Sequence, residues 1–231
     1  MTAQPRVSVI LIVRNGARFI AEALESVLRS ELRPIEILVI DGGSTDPTLE
    51  IAARFPLVTP VHQWSDGIAA AYNEGIELSR GEFLAFISHD DRWLPGKLDR
   101  QVGYMLDHPE LLYTVCHVQH VLEPDAEIPP GFRTELLGRP VPGLIMEALV
   151  ARRTCFELAG RLDSTFQVSE DTDWFARARD FGLPMAVLPE TLVQKRVHGS
   201  NASLIEPRIN DLLLRVLRRS IGRKRALSEP A

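Results

Sequence analysis

The residues with the clearest capacity for chemistry follow a short apolar run. Phe83-Leu84-Ala85-Phe86-Ile87 leads into Ser88-His89-Asp90-Asp91-Arg92-Trp93-Leu94-Pro95. Two adjacent carboxylates at the carboxyl end of a buried strand are costly unless something cationic accompanies them. Mg²⁺ and Mn²⁺ prefer oxygen ligands and bind through one or two carboxylates plus substrate phosphates. The competing reading is a solvated turn in which an Asp caps the next helix and Pro95 opens it. A second acidic pair, Glu170-Asp171, stands at the start of a helical stretch over 170–181. A carboxylate there can serve as a general base, or it can simply favour the helix N-terminus electrostatically. His198 falls in a polar segment with Arg196 and Gly199-Ser200-Asn201-Ala202-Ser203.

The elements that must position these groups are legible from periodicity. Val7–Val13, Glu36–Ile40, Val58–His62 and Phe83–Ile87 read as strands, and the nearly all-apolar ones suit a parallel sheet covered on both faces. Helices over about 18–29, after Asp46-Pro47, over 67–79 and over 95–107 alternate with them. This β-α-β-α-β-α-β order implies a parallel, doubly wound sheet with right-handed crossovers. Ligands bind such sheets beyond the carboxyl ends of the strands. Asn15-Gly16, Asp41 to Asp46 and Ser88 to Asp91 all exit on that rim. Farther on, 112–122 reads as a strand and 123–142 as a long Pro- and Gly-rich loop. Residues 144–151 form an apolar run that re-enters the core, 155–159 a short helix, and 186–188 and 191–197 two short strands.

Bulk composition narrows the classes. The chain has 231 residues, 45% of them hydrophobic, and a net charge of -5, which argues against a general nucleic-acid binder. Cys116 and Cys155 lack metal spacing and need not pair, which fits a reducing cytoplasm or simply a protein that does not use thiols. The start of the sequence shows no signal-peptide pattern, and Val7–Val13 is too short to span a bilayer. Neither a Gly-rich dinucleotide fingerprint nor a Walker A sequence is present, so a dehydrogenase or ATPase is a poor fit. Near the C-terminus Arg208, Arg215, Arg218, Arg219, Arg223, Lys224 and Arg225 interleave with Leu212, Leu213, Val216, Leu217 and Ile221. This basic amphipathic helix suits peripheral contact with an anionic membrane, or docking on its own domain with a basic outer face.

Taken in order, Val7–Asn15, Glu36–Asp46, Asp66–Gly81, Asp90-Asp91…Pro95, Gly160…Asp163…Glu170-Asp171…Arg177 and Arg196-Val197-His198 resemble family 2 glycosyltransferases. The resemblance covers about residues 5–203. It implies an inverting enzyme with a Rossmann-like, mostly parallel sheet of the glycosyltransferase A type. The implied organisation is one domain over 1–204, with a nucleotide-sugar half at about 5–110 and an acceptor and catalytic half at 111–204. A basic helix and tail over 205–231 follow. Asp41, Gly42 and Gly43 match the nucleoside-binding loop, and Asp66 and Asn73 match donor contacts. Asp90 would meet ribose or metal, Asp91 would ligate Mn²⁺ or Mg²⁺ on the diphosphate, and His198 would stand near them. Asp171 matches the general base, with Glu170 beside it, while Trp174 and Arg177 pack or orient their helix. Trp64 and Trp93 either stack on a ligand or pack in the core.

Two departures bear on the donor. Ile12-Val13-Arg14 precedes Asn15 where relatives carry an aromatic, so Arg14 would stack on the base. Asp41-Gly42-Gly43-Ser44 lacks one acid, which weakens the usual uridine preference. The implied partners are a nucleotide-sugar donor, most often a UDP-sugar, and a glycan, lipid-linked or other hydroxyl acceptor. The implied setting is cell-envelope or polysaccharide biosynthesis at the cytoplasmic side of a membrane. The rivals are a sugar-1-phosphate nucleotidyltransferase and a catalytically degenerate partner-binding module of the same fold.

Overall fold

The structure is a computed structural model that describes residues 5–124, 126–199, 201 and 209–228. Strands β1 (Val7–Val13), β2 (Glu36–Asp41), β3 (Val58–His62) and β4 (Phe83–Ser88) alternate with helices α1 (Ile20–Leu28), α2 (Thr48–Ala52) and α3 (Ile68–Leu78). After β4 come β5 (Arg92–Trp93), α4 (Lys97–Asp107), β6 (Tyr113–Leu122), β7 (Pro140–Pro142), β8 (Val150–Arg152), α5 (Thr154–Leu158), α6 (Glu170–Asp180), β9 (Met185–Val197) and α7 (Ile209–Ser228). One sheet runs β3-β2-β1-β4-β8-β6-β9-β5, with β7 on β6. Its first four strands are parallel. Beyond β4 the sheet is mixed, with β8 antiparallel to both β4 and β6 and β9 parallel to β6.

Burial explains the parallel half. Six of the seven residues of β1 and all of β2 are buried, because helices cover both faces. The apolar stripe of α1 (Ile20, Ala23, Leu24 and Val27) is fully buried, as i, i+3, i+4 spacing requires. Helix α3 approaches β1 so closely that a Cβ on Gly75 would lie 2.4 Å from Ile10 Cγ2.

The amino end of the sheet is tied shut by polar bonds. Ser8 Oγ donates to Glu36 Oε1 at 2.5 Å and accepts from the Gly81 amide at 2.8 Å. The Arg80 amide donates to the same carboxylate at 2.7 Å. Arg153 donates to the carbonyls of Ile76, Ser79 and Gly81, fixing the end of α3 against the sheet. Hydrogen bonds to charged groups contribute about 1.5–3 kcal/mol each. The opposite, carboxyl end is left open.

Three expectations change. The two short strands near 186–197 are one strand, β9, which absorbs Pro189 and Glu190 through an irregular register against Cys116, His117 and Val118. The long loop over 123–142 contains a short 3₁₀ turn, Thr134–Leu136, and ends in β7. The C-terminal helix docks on its own domain, but its basic stripe faces inward. Arg219 pairs with Asp163, Arg223 pairs with Asp180 at 3.0 Å, and the Arg215 guanidinium sits 4.6 Å over the Phe166 ring. Cys116 and Cys155 are both free and buried. Arg208, Ser200, Ala202 and Ser203 lie outside the described residues.

Candidate active site

A cleft of about 940 Å³ opens at the carboxyl ends of the strands. Ile12 from β1, Arg14 just after it, Gly42 just after β2, Gln63 after β3, and Asp66 and Gly67 before α3 line one end. Ser88, His89 and Asp90 from the β4 exit lie along it. Met146, Glu147, Glu170, Asp171 and Lys195 line the other end, and Leu213 of α7 reaches its mouth.

At the first end, two sequence-derived candidates serve the loops rather than the cleft. Asp41 is buried, and its carboxylate accepts from the Ser44 amide at 3.1 Å and the Ser44 hydroxyl at 2.5 Å. It therefore shapes the loop that presents Gly42. Asn15 accepts from the Thr45 amide at 2.8 Å and so bridges the first two exit loops. Gly43 adopts φ 81, a left-handed turn that suits glycine. Gly42 faces the cleft, and a Cβ there would come within 3.1 Å of Gln63 Oε1. Asp66 makes no capping hydrogen bond to α3 and stays exposed at the cleft, while Glu74 holds its loop through the amides of Trp64 and Ser65. Asn73 is withdrawn from the donor role, because its amide group exchanges two bonds with Leu162 at 2.8 and 2.9 Å. Trp93 packs in the core and Trp64 is exposed outside the cleft lining.

The Asp90-Asp91 pair divides. β5 pairs antiparallel with β9, with Arg92 opposite Gln194. That register puts Asp91 beside Lys195. Asp91 is fully buried, accepting from Lys195 Nζ and from the Arg196 amide, both at 2.9 Å. Both of its oxygens are thus taken by protein donors, which corrects its assignment as the direct metal ligand. Asp90 faces the cleft. Its Oδ2 lies 3.0 Å from His198 Nε2 and 3.3 Å from Asn201 Nδ2. Its Oδ1 is buried with no hydrogen-bond partner among the described residues. Burial works against this carboxylate, but the His198 hydrogen bond and the Lys195 ammonium outweigh it and hold its pKa well below the usual range. His198 stacks on Phe19 at 5.3 Å, which fixes its ring. No group of three or more His, Cys, Asp or Glu among the described residues is placed to hold a metal ion. A hard cation fits here only through Asp90 together with ligands from a bound substrate, the mode common for Mg²⁺.

At the far end, α6 delivers Glu170 and Asp171 to the cleft. Arg177 holds that helix, donating to Asp173 at 2.8 Å and to the carbonyls of Ala159 and Arg161, and Trp174 Nε1 donates to the Gly160 carbonyl at 3.0 Å. Asp171 Oδ1 accepts from the Thr172 amide at 2.6 Å. Burial, then the negative charge of Glu147, pushes Asp171 up to about 6. Burial and the neighbouring Asp171 push Glu170 up as well.

Two residues here escaped the sequence reading. Lys195 lies between Asp91 and Glu147 Oε1, 3.3 Å away. Burial opposes its charge, but the carboxylates of Asp91, Glu147 and Asp90 outweigh burial and hold its pKa well above the ordinary lysine range. Glu147 had a readable signal, as a lone acid inside the apolar run over 144–151.

The family model described as glycosyl transferase family 2 matches residues 8–144. An uncharacterised protein of Mycobacterium tuberculosis is 34% identical over 214 residues, covering 83% of this chain and 59% of that protein. An uncharacterised glycosyltransferase of Rickettsia typhi is 28% identical over 215 residues, covering 87% of this chain and 67% of its own length. The chain therefore spans 59–67% of the length of these relatives. Among solved structures, S. aureus TarS 1-349 in complex with UDP-GlcNAc superposes with a TM-score of 0.74 at 16% identity, covering 94% of this chain and 66% of that one. That likeness establishes a shared fold.

Proposed function

The chain belongs to glycosyl transferase family 2, and on that premise we propose that it moves a sugar from a nucleotide-diphosphate donor to a hydroxyl acceptor with inversion. The observation that carries this reading is the pairing, in one cleft, of Asp90 with an unpartnered oxygen and Asp171 with a raised pKa. The donor proposed first is a UDP-sugar, since the similar TarS is complexed with UDP-GlcNAc. The acceptor is a glycan, a lipid-linked sugar or another hydroxyl compound.

In this reading the nucleoside lies against Arg14, Gly42 and Asp66, and the diphosphate lies near Asp90. Mg²⁺ or Mn²⁺ held by Asp90, with His198 alongside, would supply charge neutralisation for the leaving diphosphate. Asp171 takes the proton of the acceptor hydroxyl. The acceptor oxygen forms its bond to the anomeric carbon from the face opposite the diphosphate, and the broken carbon–oxygen bond leaves its electron pair on the diphosphate. A base whose pKa sits near working pH is half-protonated at no great cost and still accepts a proton efficiently, a contribution of about 10²–10⁴-fold. Glu170, with its pKa raised by burial, carries a proton more readily than an ordinary Glu and can hydrogen-bond the sugar or Asp171. Lys195 offsets the surrounding negative charge.

The test is turnover of nucleotide sugars with and without EDTA, with product configuration read by NMR. Chelation should abolish turnover and Mn²⁺ should restore it. Full activity of Asp171→Asn would remove Asp171 as the base, and retention of the donor's configuration would sink the inverting mechanism.

A further inference from the structure

Helix α7 turns its chemistry inside out. Arg215, Arg219 and Arg223, spaced i, i+4, i+8, lie on its inner face with Val216 and Ser220, which are buried. Arg215 donates to the Thr165 hydroxyl at 2.5 Å, and Ser220 donates to Asp180 at 2.9 Å. The arginines that made the segment look basic are thus committed to Asp163, Asp180 and Thr165 of the same domain. What faces out is apolar: Leu213, Leu214, Leu217 and Ile221 are 42%, 50%, 56% and 44% exposed. At 3.6 residues per turn these four fall within an arc of about 100°. Arg218 borders the stripe and is exposed, Lys224 stands at its C-terminal end, exposed and 3.9 Å from Asp180 Oδ1, and Asp211 is the exposed acid near its start.

An apolar stripe of this width is normally buried, and four half-exposed aliphatic side chains in a row mark an interaction surface. Its flanking charge selects the occupant. A stripe bordered by cations suits an interface with apolar interior and anionic rim, the profile of a helix lying in the headgroup layer. The stripe is also continuous with the active site, because Leu213 lines the mouth of the cleft.

We propose that this outward face of α7 docks on an anionic lipid bilayer and sets the mouth of the cleft against the membrane surface. The acceptor class that follows is amphiphilic, with its hydroxyl in the cleft and its tail in the bilayer. That acceptor assignment rests on the sugar-transfer reading above, whereas the docking does not. No helix among the described residues is long and apolar enough to cross a membrane, so the contact is peripheral.

Sedimentation with lipid vesicles tests docking without any donor or turnover. The 231-residue chain should co-sediment with phosphatidylcholine vesicles containing phosphatidylglycerol, and far less with phosphatidylcholine alone. Leu214→Glu with Leu217→Glu should weaken partitioning about 100-fold or more, since each buried leucine is worth about tenfold or more. Arg218→Gln with Lys224→Gln should remove the preference for phosphatidylglycerol and its sensitivity to salt. The leucines and Arg218 are exposed, Lys224 also gives up its 3.9 Å contact with Asp180, and unaltered thermal melting of each variant confirms folding. Absence of wild-type binding to phosphatidylglycerol vesicles overturns the proposal. So does light scattering that shows a dimer dissolved by the leucine pair, because the stripe would then be covered by a second copy. Vesicle binding without turnover would leave docking standing and sink the enzymatic reading instead.

Discussion

Replacing Asp91 by Asn leaves Glu147 as the one carboxylate in ion-pair contact with the Lys195 ammonium and turns an amide NH₂ toward it, while the remaining Oδ1 can keep the Arg196 amide bond. Breaking a buried ion pair costs about 3–5 kcal/mol, so Asp91→Asn should melt far below the wild type in a thermal scan. Asp90→Asn should melt moderately below the wild type, because the charge-assisted contact with His198 and the attraction of Lys195 are lost while Oδ1 has no hydrogen-bond partner among the described residues, and it should lose metal-dependent donor binding by calorimetry. Asp171 should leave its mark on the pH dependence. With its pKa near 6, kcat/KM should rise with pH through about 6 and level off above 7, as the base loses its proton. The stability effect has the reverse direction. The unfolded chain ionises this group at its lower, ordinary value, so stability is lost as pH rises from about 4 to 6. Asp171→Asn should therefore melt higher than the wild type at pH 7.5 while losing about 10²–10⁴-fold in turnover. The two adjacent acids were visible in the sequence as a pair, but their division of labour was not. It depends on Arg92 pairing with Gln194, a contact between segments about a hundred residues apart.

Close packing of α3 on β1 sets the position of the cleft wall that carries Asp66 and Gly67. Gly75→Ala tests it, because two effects compete with known sizes. In an open helix the change gains about 1 kcal/mol. Here the new Cβ would lie 2.4 Å from Ile10 Cγ2, and overpacking costs about 1–3 kcal/mol. The net effect should be destabilising, lowering the denaturation midpoint without changing the slope. Elements of this half were legible because each apolar run is bounded by turn residues and followed by one helical stripe. The second half was less so. β9 is interrupted by Pro189 and Glu190, which reads as two strands until β6 supplies the irregular register that accommodates them. The orientation of α7 was hidden for a similar reason. A helical stripe of arginines ordinarily faces water, and only the Asp163, Asp173 and Asp180 carboxylates on its partner surface reverse that preference.

The whole molecule places a parallel half, which supplies Arg14, Gly42 and Asp66, against a mixed half, which supplies Glu147, Asp171 and Lys195, with Asp90 at their seam. On the proposed placement a nucleotide sugar spanning the cleft would contact both halves, and neither set of contacts exists in the unfolded chain. Its binding must then stabilise the whole fold by RT ln(1 + [L]/Kd), about 2.7 kcal/mol at a hundredfold excess over Kd. For a domain of this size each kcal/mol raises the melting midpoint by about 2–4 °C, so saturating UDP-sugar with Mn²⁺ should raise it by about 5–11 °C. UDP alone would fill only the first end of the cleft. With fewer contacts it should raise the midpoint less at the same concentration. The difference between the two shifts reads the contribution of the sugar end directly. In Asp90→Asn both shifts should shrink together, whereas Glu147→Gln should reduce only the difference, because Glu147 lines the end of the cleft away from Arg14, Gly42 and Asp66, where the proposed placement would put the sugar. Equal shifts from UDP and every UDP-sugar, unaffected by Glu147→Gln, would mean that the mixed half holds no part of the donor and that its acids serve the acceptor alone.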